Sequence, residues 1–468
     1  LSFFTHDEAN IQFGTWNYKK GKELEPHFHN KFDRNATITQ EAVFVLKGKV
    51  QCDLYNKKGQ FISSHVLENN DLMIQFNEVH KYIMLEDSIV LEFKNGPYFG
   101  PEIDRTRIEI DENKSIWTKN IKKDKEAVSK YLNSGGWLTE NKVTEELENR
   151  VAKYVNRKFA IAVPNGTQAI YLSLIAAGVE KGSTVAVPNL TMIATINAII
   201  WAGAKPYIVD TDKDLCMDID KLKKIKNLDA VIYVPLNGRT KNGLLIEKWC
   251  KENHITLVED SAHALGSKYQ NNKMCGSLGD LSVFSFTPHK IITMGQGGMV
   301  LTDNKKLKDS LFKIKTFNRM KNKSDWHEGF GLNFKITDLQ SSIGLSQFDQ
   351  LENFIEIKKQ NYLKLKKFIT NDKVNLCDFE DHETPWFYDI KFKSKSLRNK
   401  FSSYMKIHNI ETRIHYPCMS KQKYLNNTKS TNLETSESLD ELLLWLPSST
   451  NLNDKDIKYI SKTINNFQ

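Results

Sequence analysis

The chain has 468 residues, 40% of them apolar, and its 66 Lys and Arg outnumber 57 Asp and Glu to give a formal charge of +9. Such a length suits about three domains, each able to bury a core, which excludes a disordered or fibrous chain. The positive charge is scattered among Asn and Glu and forms no stripe, so no nucleic-acid partner is expected; a mildly basic surface suits an anionic small molecule such as a nucleotide diphosphate.

The six cysteines (Cys52, Cys216, Cys250, Cys275, Cys377 and Cys418) lie far apart with no CxxC, which argues against a zinc cluster or a disulfide framework and for a reducing cytoplasm. The opening "LSFFTHDEAN" lacks the basic start and apolar core of a signal peptide. The most apolar stretch, 192–204, is too short for a bilayer, so a soluble protein with no membrane partner is expected.

In chain order, residues 1–110 read as short strands separated by turns: "AVFVLKGKVQCDLYNKKGQFISSHVL", "DLMIQF", "KYIML" and "SIVLEFKNG". Closely spaced strands without helical periodicity predict an all-β barrel or jelly roll. Residues 111–125, "DENKSIWTKNIKKDK", are polar and charged and are expected to be a linker. Beyond them, "FAIAVP", "TVAVP", "KPYIVD", "AVIYVPL", "ITLVEDS", "LSVFSF" and "GGMVLTD" alternate with helical periodicity, predicting a large α/β domain over 126–345 with a mostly parallel sheet. Leu339, Ile343, Phe348, Leu351 and Phe354 recur at helical spacing. They predict one long amphipathic helix leading into a smaller α+β domain over 346–468.

The chemistry concentrates in "FSFTPHKIITMGQGGMV", where Lys290 sits between a strand and a glycine-rich turn. Alone, such a lysine reads as a surface residue. In "VPNGTQAIYLSLIAAG", Gly166 and Thr167 stand where a strand turns into a helix, whose free N–H groups suit a phosphate or simply a capped start. "ITLVEDSAHALG" ends a strand with Glu259 and Asp260, followed by His263, at the edge where open α/β sheets bind ligands. A phosphate cradle, a carboxylate and a lysine are together what pyridoxal phosphate needs: an anchor, a partner for its pyridine nitrogen, and an amine to hold its aldehyde carbon.

Over 135–467 the sequence resembles the DegT-type (StrS-like) sugar aminotransferases, fold-type I enzymes that use pyridoxal phosphate. The likeness is carried by "GGWLTENKVTEELENRVAKYV", "NGTQAI", "VPNLTMIATINAIIWAGAKPYIVDTD", "VEDSAHALGS", "GSLGDLSVFSFTPHKIITMGQGGMVLTD" and "GLNFKITDLQSSIGLSQFDQL". The resemblance implies Lys290 as the cofactor-linked lysine, Asp260 as the pyridine partner, His263 against the phenolic oxygen, and Gly166, Thr167 and Ser285 in the phosphate set. It implies that Asn333 serves the neighbouring subunit's phosphate, hence a homodimer with shared sites. Met192 stands where many members stack an aromatic ring, and its sulfur can still pack on one. Gln296 replaces the glutamate of GEGG, and Lys335 replaces an arginine, which leaves substrate detail open. Relatives with histidine for the lysine are sugar dehydratases; here His289 precedes a lysine still in register.

"PHFHNKFDRNATITQEAVFVLKG" holds His27, His29, Glu41 and Gly48 and resembles the first cupin motif with a lengthened interval, while His80 falls at the second motif's histidine. Two histidines two apart share one strand face. With Glu41 and His80 they could hold a divalent metal, or line a metal-free pocket. The expected function is amino transfer, with glutamate as donor, to a nucleotide-linked keto-deoxy sugar that the cupin also binds or isomerises. The alternatives are a pyridoxal-phosphate sugar dehydratase and a non-catalytic regulator with a cupin sensor.

Overall fold

The computed structural model describes residues 2–3, 11–24, 26–29, 41–57, 59, 61–75, 79–95, 105–107, 122–323 and 325–468. The chain divides into two compact units, Leu1–Lys114 and Ser115–Gln468.

In the first unit, alternate residues of the strand Glu41–Lys47 face inward. Along Glu41–Lys47, Val43 and Val45 are fully buried while Ala42 and Phe44 are half-buried. One five-stranded sheet runs Ser2–Phe3, Ile11–Tyr18, Ser88–Asn95, Glu41–Lys47, Leu72–Gln75; the other runs Arg105–Arg107, His27–His29, Val79–Met84, Val50–Tyr55, Phe61–Leu67. All their pairings are antiparallel. Trp16, Val43, Val45 and Val90 from the first sheet share a core with Val50, Cys52, Tyr82 and Met84 from the second, the arrangement of two sheets packed face to face. Among the described residues of this unit, the regular elements are all strands.

The expected linker falls largely outside the described residues. Residues 122–125, at its end, instead open the helix Lys122–Asn133. Asp124 explains why: it is buried, and its carboxylate accepts from Ser346 Oγ at 2.8 Å and Gln347 Nε2 at 2.5 Å.

In the second unit, each of the seven apolar runs forms a strand. The eight-stranded sheet has the order Phe159–Val163, Gly298–Thr302, Leu281–Ser285, Thr256–Asp260, Ala230–Tyr233, Thr184–Pro188, Lys205–Val209, Lys429–Ser430. Gly298–Thr302 is antiparallel to both neighbours, and the other pairings are parallel. Its strands are buried on both faces, one around Val187, Ile232 and Val283 and the other around Val231, Leu257 and Tyr233, which is why they read as continuous apolar runs. The short Lys429–Ser430 strand carries no such signal.

The single long helix is not found. Helices Asp338–Phe348 and Leu351–Phe368 are separated at Asp349 and Gln350. The first buries Ser341, Ser342, Gly344, Ser346 and Gln347, and leaves Leu339, Ile343 and Phe348 only half-buried. It packs against Lys122–Asn133 and Lys142–Tyr154, whereas the second packs on Asp454–Asn465, so the break redirects the chain between two neighbours. A four-stranded antiparallel sheet follows, ordered Asn375–Leu376, Tyr388–Lys391, Leu443–Leu446, Arg413–Ile414, with Phe401, Tyr362 and Ile460 in its core.

Candidate active site

The C-terminal ends of the large sheet's strands converge on a cavity of about 520 Å³ lined by Gly166, Thr167, Met192, Thr195, Asp260, His263, Ser285, Lys290, Trp386, Arg413 and Tyr416, among others. This is the edge at which open α/β sheets bind ligands. Of the cofactor-site residues that the family resemblance implies in this unit, all line the cavity except Asn333.

At one side, Asn165 caps the helix Gly166–Ala176, accepting from Gln168 N at 2.9 Å, and the helix's first N–H groups remain for an anion. A Cβ on Gly166 would lie 2.9 Å from Ser285 Cβ, and one on Gly298 would lie 2.5 Å from the Asn165 carbonyl. Only glycine lets the strand end and helix start close this tightly. Ser285 Oγ and Thr287 Oγ1, 3.4 Å apart, add hydroxyls beside it.

The adjacent acids divide their work. Glu259 is wholly buried and accepts from Ser261 Oγ, Tyr269 OH, Gly276 N and Leu278 N at 2.7 to 2.9 Å, so it is a structural anchor for the turns behind the sheet. Asp260 points into the cavity. Its Oδ2 accepts from Thr195 Oγ1 at 2.8 Å and its Oδ1 from Ala262 N at 3.3 Å. Burial raises its carboxyl above the usual range, opposed by the Thr195 bond, the Lys290 charge and the Ala262 amide.

Lys290 is half-buried as a residue, but its amine is withdrawn from bulk water. That desolvation pushes the amine down to about 7, with Asp260 opposing and Arg413 assisting. A large neutral fraction therefore exists at neutral pH, which a nucleophilic amine requires. His263 is buried, and burial, with the Lys290, His415 and Arg413 charges, holds its imidazole well below its ordinary value and so neutral. Its ring stacks on Trp386 with centroids 3.9 Å apart at 24°. Met192 is 40% exposed, and its sulfur accepts from Ala194 N at 3.1 Å.

The residues fit pyridoxal phosphate on this structure's own terms. His263 Nδ1 is buried with no hydrogen-bond partner among the described residues, Asp260 is a buried carboxylate beside the lysine, and the Gly166 helix start is too close to Ser285 for a Cβ. Asn333 is exposed and does not line this cavity. Trp386, Arg413 and Tyr416 lie outside the quoted motifs, and Thr195, though inside one of them, was not singled out. The "ETRIHYP" stretch, with a cation and two rings in a row, is the one pattern that could have flagged the last two.

In the β unit, His27 pairs with His80 across neighbouring strands, and ligand atoms of His27, Glu41 and His80, all buried, lie within 4.8 Å of one another. His80 Nε2 is 3.7 Å from Glu41 Oε2, and the two imidazole centroids are 4.8 Å apart. His29 lies on the His27–His29 strand, but its side chain is outside the described residues.

The DegT/DnrJ/EryC1/StrS aminotransferase family matches residues 119–465. The GDP-perosamine synthase of Escherichia coli O157:H7 is 33% identical over 350 residues, 74% of this chain and 95% of its own length. A UDP-4-amino-4,6-dideoxy-N-acetyl-β-L-altrosamine transaminase of Campylobacter jejuni is 28% identical over 353 residues, 70% of this chain and 90% of its own. The crystal structure of a DegT DnrJ EryC1 StrS aminotransferase from Brucella abortus superposes with a TM-score of 0.68 at 25% identity, covering 73% of this chain and 94% of that one. With the lysine, carboxylate and phosphate cradle gathered in one cavity, the chain belongs to the DegT/DnrJ/EryC1/StrS aminotransferase family and is a pyridoxal-phosphate-dependent sugar aminotransferase.

Proposed function

We propose that this enzyme moves an amino group from glutamate to the ketone of a nucleoside-diphosphate-linked deoxy sugar. The two curated relatives carry GDP and UDP in their names, so the diphosphate is the shared element and the base differs. The observation that carries the reading is the single cavity holding Lys290, Asp260 and His263 opposite the Gly166 helix start.

When bound, pyridoxal phosphate supplies an electron sink for the bond broken at the donor's Cα. The Gly166 and Thr167 amides, with Ser285, would hold its phosphate; Asp260, steadied by Thr195, would set a negative charge against its pyridine nitrogen; neutral His263 would offer a ring nitrogen to its phenolic oxygen; and Met192 would pack on its ring. Lys290 would hold the cofactor through its amine, and the same amine would serve as the base that takes the proton from the donor's Cα and the acid that returns it. An amine near 7 does both at neutral pH. Residues 126–345 serve as the cofactor-binding domain, and residues 346–468 as the small domain that brings Trp386, Arg413 and Tyr416.

Two copies complete the site. Asn333 is exposed, as are Phe330 and Trp326 a few residues before it in the chain, at 68% and 62%, and this supports a homodimer in which Asn333 reaches the neighbour's phosphate. No helix among the described residues is long and apolar enough to cross a membrane, and cytoplasmic work on a nucleotide sugar is the proposed setting.

The β unit is proposed as a cupin whose His27, Glu41 and His80 form a site for the same sugar. Two imidazoles and a carboxylate also suit a divalent cation, with His29 as the fourth ligand. Metal analysis of the purified chain and of Glu41→Gln separates a metal centre from a metal-free pocket.

Borohydride treatment of the holoenzyme should fix the cofactor to Lys290, and each candidate keto sugar supplied with glutamate should gain nitrogen. An adduct mapped to another residue would break the assignment, and a product without nitrogen would point to dehydration.

A further inference from the structure

Trp386 is 1% exposed and precedes the strand Tyr388–Lys391 of the small sheet, nearly a hundred positions from Lys290. Each of its polar atoms is paired. Its N–H donates to Asn237 O at 3.3 Å, and its carbonyl accepts from Lys358 Nζ at 2.7 Å and Ser448 Oγ at 3.1 Å. The indole Nε1 donates to the carbonyl of His289, the residue before Lys290, at 2.7 Å. The ring is thus pinned at its backbone and at its far edge by four separate segments and has no rotamer freedom left. On this fixed ring lie the Lys290 amine, 4.2 Å from the centroid, and the stacked His263 imidazole.

We propose that Trp386 is a positioning residue for amino transfer: it fixes where the Lys290 amine and the His263 imidazole sit, and it favours the charged form of that amine. A lysine stem has four rotatable bonds and a mobile head. The pinned indole limits that freedom twice, by holding the main chain at His289 and by attracting the ammonium to its electron-rich face, an attraction that grows as water is excluded. The other groups that face the amine are Asp260, which raises its proton affinity, Arg413, which lowers it, and neutral His263; Tyr416 lines the same cavity. The ring's attraction therefore works alongside Asp260. It keeps part of the amine population charged, ready to return a proton, while burial keeps the rest neutral.

The proposal rests on Lys290 being the cofactor-linked lysine, so the experiment begins with borohydride mapping of that residue. Cofactor-free protein is then mixed with pyridoxal phosphate, and the rate of its covalent capture is followed by absorbance across pH. Only the neutral amine reacts, so the midpoint reads the amine's proton affinity. Trp386→Leu should move that midpoint down by about one pH unit. Trp386→Phe, close in shape and keeping a weaker ring, should move it down by less. In the holoenzymes, kcat should fall about tenfold to a hundredfold with KM for either substrate within about threefold, because displacement of a reacting group costs turnover more than binding. A midpoint unmoved or raised in both variants overturns the proposal, and Trp386→Phe keeps this decisive if the leucine variant fails to fold. An adduct away from Lys290 removes the assignment itself; an adduct at Lys290 with unmoved midpoints removes only the role of Trp386.

Discussion

Gly166→Ala tests the phosphate cradle with one added carbon. In the structure that carbon would lie 2.9 Å from Ser285 Cβ and 3.2 Å from its Oγ, whereas carbon atoms in contact prefer about 3.5–4.0 Å. Rotation of Ser285 cannot relieve the clash, because its Cβ is fixed by a strand hydrogen-bonded on both sides. The helix start and strand end must part by about half an ångström or more, which costs about 1–3 kcal/mol. Alanine's better helix propensity returns at most about 1 kcal/mol of that. The separation falls on the amides that would hold the phosphate. If the same 1–3 kcal/mol is lost from cofactor binding, the dissociation constant rises about fivefold to 150-fold. The assay is a titration of cofactor-free protein with pyridoxal phosphate, followed by absorbance, beside thermal melting of the same samples. Affinity within twofold of the parent would refute the cradle, whatever happened to the melting temperature. A fall in melting temperature alone would make the Gly166 contact a packing requirement and nothing more.

Asp260→Asn should retain cofactor yet lose turnover by at least about a hundredfold, since an amide cannot carry the negative charge that the pyridine nitrogen needs; near-normal kcat would contradict the role. Asn333→Ala should weaken cofactor retention, and mixing it with Lys290→Ala should restore part of the activity through hybrid dimers; no rescue after demonstrated subunit exchange would count against a shared site. Lys358 offers a pH test. Its buried amine sits near 7 in the folded chain but titrates near 10.4 when unfolded, so the unfolded state binds the extra proton and stability should climb as pH rises from 7 toward 10. Lys290 in the cofactor-free protein does the same. Lys358→Met should therefore lower the slope of unfolding free energy against pH, between about 7.5 and 9.5, by about one proton's worth, 1.4 kcal/mol per pH unit; an unchanged slope in urea titrations would refute it.

What was legible in the sequence follows from which interactions are local. A strand buried on both faces must be apolar throughout and must end in turn residues, so "TVAVP" and "LSVFSF" declare themselves. Lys290, Asp260 and Gly166 are equally local: Asp260 ends a strand, Gly166 opens the helix after one, and Lys290 lies in the turn after another, so the backbone surroundings of each are written in the neighbouring residues. Helical periodicity failed at 338–350 for a physical reason: the buried face is made of Ser, Gly and Gln, because the helix comes so close to its neighbour that a Cβ on Gly344 would lie 2.8 Å from Leu147 and 2.9 Å from Met294. An apolar-spacing rule follows Leu339 and Ile343 and reads the wrong face. The remaining site residues were invisible because nothing near them in sequence requires them. Thr195 meets Asp260 across 65 positions once the large sheet has formed, and Trp386 meets His289 across 97 once the small sheet is in place as well. A motif therefore identifies the groups that react, while the groups that hold them in position come from segments distant in sequence, each bringing one donor or one ring to the right point. This gives the Thr195 hydroxyl and the Trp386 indole a common status: both act on the chemistry through Asp260 or Lys290, and their substitution should alter pH profiles and turnover before it alters which substrates are accepted.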